Sequence, residues 1–156
     1  MKKNIAVIYG GYSSEYQISV KSGKHVTSVI NKNIYNVFPV LLKGQQWIID
    51  DGSNIQISKE DFSFLKNNEK VFFDCAVIMI HGTPGENGIL ESLFDLLRIP
   101  YTTCSALVSA LTFNKHYCNT YLRNYKVLMA NSYLQRKGNS IDTKAIISKL
   151  GLPVFV

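Results

Sequence analysis

The feature that most constrains the fold is an apolar run, Ile5–Tyr9, that ends abruptly in two glycines. A short, continuous run rich in β-branched residues predicts a buried strand of a parallel sheet. After Gly10 and Gly11, either Ser13 or Ser14 is expected to cap a helix. A strand, a glycine corner and a helix form a βα unit, so the sequence predicts an α/β fold.

Two more units of this type follow along the chain. The run Ala76–Ile80 predicts a second buried strand that also ends in a glycine loop, and residues 89–99 carry apolar positions at helical spacing. A long helix is predicted over residues 105–125. Together these segments predict an open, mostly parallel sheet flanked by helices, of the Rossmann-like type.

Between these units the pattern is weaker. The runs Val37–Leu42 and Trp47–Ile49 predict a hairpin, and Pro39 confines its strand to an edge or to a ladder position that needs no amide donor. We expect this segment to be peripheral. Ser58–Leu65 is predicted as a short capped surface helix.

The last part of the chain differs in character. A strand is predicted near residues 127–134, a helix over residues 141–150 ending at Gly151, and an apolar strand over Leu152–Val156. Because the chain ends inside an apparent buried strand, it is expected to be a truncated polypeptide.

Composition excludes several classes of protein. Of 156 residues, 46% are hydrophobic and 18% charged, which predicts a folded domain. The net charge of +6 permits anionic partners, but the basic residues are scattered and no nucleic-acid motif accompanies them. Three widely spaced cysteines suggest neither zinc nor disulfides, and no run could span a bilayer, so a soluble cytoplasmic protein is expected, without nucleic-acid or membrane partners.

The first glycine corner, "GGYSSEYQIS", contains one carboxylate, Glu15. The corner lacks the full G-x-G-x-x-G of a dinucleotide site, and Glu15 would repel a phosphate placed against it. The corner therefore suits an ammonium or hydroxyl group better than an anion. The alternative is that Glu15 only supports the start of the helix.

The second loop, "HGTPGENG", begins at His81. Since the carboxyl ends of parallel strands share one edge of a sheet, both loops are expected to line one crevice. His81 is a candidate donor or charge partner for a carboxylate, or else a structural histidine. The residues expected to support the two loops are Gly10, Gly11, Gly82, Gly85 and Glu86.

These two loops, followed by "IPYTTCSALVSALTFNK" and "LGLPVFV", resemble the amino-terminal half of the D-alanine–D-alanine ligases, a family of ATP-grasp enzymes. Four separate elements recur in the family's order and spacing, and the resemblance covers nearly the whole chain. Four positions depart from the commonest family residues: Tyr16, Asn87, Glu91 and Asn114.

The resemblance implies a mechanism and a set of roles. Such an enzyme uses ATP and Mg²⁺ to phosphorylate the carboxylate of one D-alanine, and the amine of a second D-alanine attacks the acylphosphate to give a peptidoglycan precursor. Glu15 would hold the ammonium of the first D-alanine, Ile18 would lie against it, and His81 would stand near its carboxylate. Lys115 would reach the phosphates of ATP.

The resemblance also implies how the chain is divided. Residues 1–121 would form the substrate-binding (pre-ATP-grasp) domain, and residues 122–156 the truncated start of the ATP-grasp domain. No metal ligand is expected in this chain, a homodimer is expected, and the chain alone is expected to be inactive. Whether the second substrate is D-alanine, D-serine or D-lactate stays open.

Two alternative functions are considered. The first is a non-catalytic flavodoxin-like module that binds a small ligand, and the second is a nucleic-acid-binding protein.

Overall fold

A computed structural model describes residues 1–155; within them one helix separates the first strand from the other strands, and the remaining helices follow the last strand. The strands are β1 (Lys3–Gly10), β2 (Tyr35–Lys43), β3 (Gln46–Ile49), β4 (Phe64–Lys66), β5 (Glu69–Val71) and β6 (Cys75–Ile78). The helices are α1 (Tyr16–Val29), α2 (Ile89–Leu97), α3 (Ala106–Phe113), α4 (Lys115–Arg123) and α5 (Thr143–Leu150).

The main sheet has the strand order β3-β2-β1-β6. β1 pairs in parallel with both β2 and β6, while β3 returns antiparallel to β2. Beyond β6, Tyr101 forms one parallel bridge to Ala76. The predicted open, mostly parallel sheet flanked by helices is therefore confirmed.

Strand β1 forms the centre of the hydrophobic core because its side chains alternate between the two faces of the sheet. Val7 and Tyr9 belong to the cluster against which α1 packs, through residues such as Val26. Ala6 and Ile8 belong to the opposite cluster, which includes Phe94 of α2. Full burial of side chains as large as those of Val7, Ile8 and Phe94 stabilises the fold by roughly 1.5–3 kcal/mol each.

The prediction that residues 37–49 are peripheral is wrong. β2 lies inside the sheet between β1 and β3, and its side chains Val40 and Leu42 are completely buried. Pro39 is accommodated there opposite Val7, and its carbonyl accepts a hydrogen bond from Asp50 N at 2.8 Å. Two positions were expected for Pro39, an edge strand or a ladder position that needs no amide donor, and the structure shows the second.

The helix predicted over Ser58–Leu65 is also wrong. The Asp61 carboxylate accepts from Ser63 N and Ser63 Oγ, which closes a local turn, and Phe62 has a positive φ of 51°. Hydrogen bonds from Lys70 and Ser63 hold the pKa of the Asp61 carboxyl well below its ordinary value. The turn favours burial of Phe62 and Phe64, and the chain continues into the β4–β5 pair.

Residues 1–110 form one compact unit, and a second unit begins at Leu111. The long helix predicted over residues 105–125 is interrupted at Asn114, whose side chain accepts a hydrogen bond from Tyr117 N and so caps α4. The domain boundary after residue 121 stays a prediction.

Near the end of the chain the predicted helix is present as α5, capped by Asp142 and followed by Gly151. The strands predicted around residues 127–134 and over 152–155 are absent from the part of the chain that the structure describes, and Val156 lies outside it. Leu128 and Phe155 are fully exposed there, so these segments lack the partner strands that a sheet requires. Within residues 1–155, no helix has both the length and the apolarity needed to cross a membrane.

Candidate functional site

The candidate site lies where β1 and β6 end side by side. The loop after β1 and the loop after β6 are joined by a hydrogen bond from Tyr12 N to Thr83 O at 2.9 Å. The two strands are themselves paired in parallel, so both loops leave the same edge of the sheet. The backbones of the two loops therefore lie side by side, while the expectation that both loops line one crevice stays a prediction.

Two serines connect the loops at Glu15 and His81. Ser13 Oγ donates to His81 O at 2.8 Å and accepts from Glu15 N at 3.2 Å. Ser19 Oγ accepts from His81 N at 2.9 Å and donates to Glu15 O at 3.2 Å. The backbones of Glu15 and His81 are therefore neighbours although 66 positions separate them in the sequence.

The side chains of these two residues remain available. Glu15 is exposed and His81 is half-buried, and within residues 1–155 neither the carboxylate nor the imidazole forms a hydrogen bond or ion pair. Glu15 stands at the N-cap position of α1, but its side chain makes no capping hydrogen bond. The expectation that Ser13 or Ser14 caps α1 is wrong: Glu15 is the N-cap residue, and the Ser13 hydroxyl bonds instead to Glu15 N and to the second loop.

Close approach of the loops requires glycine at two points. Gly11 has a φ of +98°, and a Cβ there would lie 2.7 Å from Ile80 Cγ2 and 2.9 Å from Thr83 O. Gly82 has a φ of +76°, and its Cβ would lie 2.7 Å from Ser13 Cβ. A side chain at either position would push the loops apart.

The other loop residues lie within the same two corners. Gly10 ends β1 beside Leu42, and Gly85 N donates to Gly82 O at 2.9 Å. Glu86 Oε2 accepts from Gly82 N at 2.7 Å, and Glu86 N donates to Gly82 O at 2.9 Å. The Glu86 carboxylate is therefore engaged within its own loop, unlike that of Glu15.

The two remaining predicted residues lie on helices. Ile18 is on the first turn of α1 with 55% of its surface exposed, so its apolar side chain is open to contact. Lys115 is the first residue of α4, in the second compact unit, and is exposed.

Sequence reasoning missed the contacts that hold the corner in place. Tyr12 OH accepts from Trp47 Nε1 at 3.0 Å, which ties the corner to β3. Burial, followed by a hydrogen bond to Asp50 at 2.8 Å, raises the pKa of Tyr9 well above its ordinary value. Ser19 was detectable in principle: it lies one helical turn after Glu15, within reach of that residue's carbonyl.

Glu91 forms a second polar cluster, beneath α3. Its side chain is completely buried, Oε1 accepts from Ser109 Oγ at 2.7 Å, and Oε2 has no hydrogen-bond partner. Cys104 Sγ lies 3.2 Å from the same Ser109 hydroxyl. In residues 1–155, no group of three His, Cys, Asp or Glu side chains is arranged to hold a metal ion.

The sequence matches a family model described as the D-Ala–D-Ala ligase N-terminus over residues 4–104. The chain belongs to the D-alanine–D-alanine ligase family. It is 49% identical to the D-alanine–D-alanine ligase of Phocaeicola vulgatus, in an alignment that covers 100% of this chain and 49% of that protein. The chain spans about half the length of the curated relatives it matches, and it corresponds to their amino-terminal part.

Solved structures of the family agree with this fold. The D-alanine–D-alanine ligase of Coxiella burnetii superposes with a TM-score of 0.86 over 96% of this chain and 50% of that one, at 23% identity. The Bacillus anthracis ligase, determined in complex with ATP, gives a TM-score of 0.71 at 25% identity, covering 95% of this chain and 43% of that one. The predicted membership in the ligase family, over nearly the whole chain, is confirmed.

Proposed function

We propose that this chain supplies the D-alanine-binding half of an ATP-dependent D-alanine–D-alanine ligase. The observation that carries the proposal is the pair of joined loops, which bring the backbones of Glu15 and His81 together and leave a carboxylate and an imidazole without partners among residues 1–155. The product, D-alanyl-D-alanine, would serve peptidoglycan synthesis.

Charge complementarity supports these roles for the two residues. D-alanine is a zwitterion, so its site needs an acceptor for the ammonium and a donor for the carboxylate. Glu15 offers the acceptor and His81 the donor, and each charge-assisted hydrogen bond is worth about 1.5–3 kcal/mol. Ile18, exposed on the turn of α1 that follows Glu15, would contact the methyl group.

Lys115 is proposed to bind the phosphates of ATP. A lysine in the first turn of a helix is disfavoured by the helix dipole, which instead attracts anions to that end. An anionic ligand would reverse this penalty, because both the lysine and the amides of α4 would favour it. When bound, ATP with Mg²⁺ supplies the phosphoryl group that activates the carboxylate of D-alanine, and we propose that residues outside this chain hold the metal.

Three further features of the protein are proposed. The cytoplasm is its expected location because Cys75, Cys104 and Cys118 are free thiols. A homodimer is proposed from the family resemblance, and light scattering tests it. The 156-residue chain alone is expected to release no phosphate in response to D-alanine, since it spans about half the length of its curated relatives; measurable release would contradict this.

The decisive experiment uses the polypeptide extended to the full length of its relatives. Glu15→Gln and His81→Ala should each raise the KM for the first D-alanine about ten- to hundredfold, the equivalent of about 1.5–3 kcal/mol. Glu60→Gln and His25→Ala are matched controls, because both residues are exposed outside the two loops, and they should leave KM unchanged. Normal KM values in both site variants would refute the assignment.

The nucleotide contact is tested separately. Lys115→Ala should raise the KM for ATP and leave that for D-alanine unchanged, while the exposed Lys144→Ala serves as the control. If the wild-type full-length protein binds D-alanine but makes no dipeptide, the non-catalytic binding module becomes the better interpretation.

A further inference from the structure

Ser13 and Ser19 are arranged as a double bridge between the same two residues. Each hydroxyl bonds to the backbone of Glu15 on one side and to the backbone of His81 on the other. Ser13 contacts Glu15 N and His81 O, whereas Ser19 contacts Glu15 O and His81 N. The two bridges thus reach both backbone polar groups of both residues.

In each bridge the serine hydroxyl acts both as a donor and as an acceptor. A serine has one hydrogen to donate and lone pairs to accept with, and each serine here makes one bond of each kind. Ser19 is completely buried, so water cannot replace its hydroxyl after substitution by alanine. Ser13 is half-buried, and its bridge is the more replaceable of the two.

The loops do not need these serines merely to stay together. The bond from Tyr12 N to Thr83 O joins them independently, and the parallel pairing of β1 with β6 aligns the strands that lead into them. What the serines add is specific to Glu15 and His81, whose side chains have no hydrogen-bond or ion-pair partner in the part of the chain that the structure describes.

We infer that Ser13 and Ser19 are positioning residues, which set the separation between the Glu15 carboxylate and the His81 imidazole to fit the two charged ends of D-alanine. This inference rests on the proposed function. A misplacement of about 1 Å in such a site can cost on the order of 100-fold in rate, so small loop movements are sufficient to matter.

The first test measures the bridge itself, without ligand. In the 156-residue chain, amide hydrogen exchange followed by NMR should be faster at His81 in Ser19→Ala than in wild type, because its N–H loses its acceptor. Ser14→Ala is the matched control, since Ser14 is an exposed serine between the two bridging positions. Equal exchange at His81 in Ser19→Ala and Ser14→Ala would overturn the inference.

The second test measures the consequence for substrate, in the full-length polypeptide. Ser19→Ala and Ser13→Ala should each raise the KM for the first D-alanine about tenfold or more, with Ser14→Ala unchanged. In a background that lacks both side chains, Glu15→Gln with His81→Ala, Ser19→Ala should add little, because a positioning residue acts through the side chains it positions. A general structural role predicts instead that the two effects multiply, and that result would refute the inference, as would unchanged KM values in both serine variants.

The outcomes separate this inference from the proposed function. A wild-type full-length protein that makes no D-alanyl-D-alanine would refute the function, and the exchange measurement would then decide alone whether the serines hold Glu15 and His81 together. If Ser19→Ala lowers the thermal midpoint enough to prevent kinetics, Ser13→Ala carries the same test at the more exposed bridge.

Discussion

Replacing Gly23 with alanine is expected to destabilise the protein, although the same substitution usually stabilises a helix. Gly23 lies within α1 and is buried against Tyr9 of β1. Replacing a helical glycine with alanine normally stabilises the helix by about 0.8–1.0 kcal/mol. Here, however, the added Cβ would lie 2.2 Å from Tyr9 Cδ1 and 2.4 Å from Tyr9 Cβ.

The magnitude follows from which atoms can move. The Tyr9 ring could rotate away from its contact, but Tyr9 Cβ is attached to the central strand and cannot. Lengthening that contact from 2.4 Å to an ordinary 3.4 Å requires α1 to move about 1 Å from the sheet. Overpacking typically costs about 1–3 kcal/mol, and this clash belongs to the upper half of that range because Tyr9 Cβ cannot move; after the gain of about 1 kcal/mol in helix propensity, we expect a net loss of about 1–2 kcal/mol.

Urea unfolding followed by circular dichroism at pH 7 measures this loss. The unfolding midpoint of Gly23→Ala should fall at an unchanged m-value, and the thermal midpoint should fall by about 2–8 °C for a chain of this size. Lys21→Ala, at an exposed position of the same helix, should stay within about 0.5 kcal/mol of wild type. A Gly23→Ala protein as stable as wild type, or more so, would refute the packing argument.

Two further predictions concern buried polar groups. The raised pKa of Tyr9 means that its contribution to stability is complete below its ordinary pKa of 10.0 and is lost as the pH rises above that value. Tyr9→Phe lacks the hydroxyl bonded to Asp50, so it should have a lower free energy of unfolding than wild type at pH 7. Between pH 7 and pH 11 it should lose less of that free energy than wild type does. Urea titrations at the two pH values measure both quantities, and equal losses in the two proteins would contradict the prediction. Ser109→Ala should lower the free energy of unfolding by about 1.5–3 kcal/mol, because it leaves the buried Glu91 carboxylate without its donor. A double-mutant cycle with Glu91→Leu, which removes the acceptor, should give a coupling above about 0.5 kcal/mol and so separate this bond from the other contacts of Ser109.

Local pattern predicted the parts of the fold in which local preference and burial agree. The run Ile5–Tyr9 is apolar throughout because its strand is covered on both faces, and the glycines after it mark a backbone with positive φ. The apolar run that contains β6 was likewise predicted as a buried strand, and the glycine loop that begins at His81 was predicted to follow it. These features carry the family resemblance, so the ligase family and the identity of the candidate residues were available from the sequence.

Features that depend on contacts with residues distant in the sequence were not predictable from local pattern. Ser58–Leu65 has a helical composition, but burial of Phe62 and Phe64 in the aromatic cluster favours a turn and a strand. Pro39 suggested an edge strand, yet β2 lies between two neighbours because the proline occupies a position that requires no donor. Apolar segments near the end of the described chain have no strand to pair with, so they remain irregular and exposed.

The sequence by itself determined which chemical groups the candidate site contains, because Glu15, His81 and the glycines stand in motifs that can be read in order. Only the tertiary structure decided how those groups are held, since the contacts of Ser13 and Ser19 with His81 span 68 and 62 positions. The physical reason is that a hydroxyl's partner depends on which distant backbone atoms the sheet brings within about 3 Å, and no local periodicity records that distance.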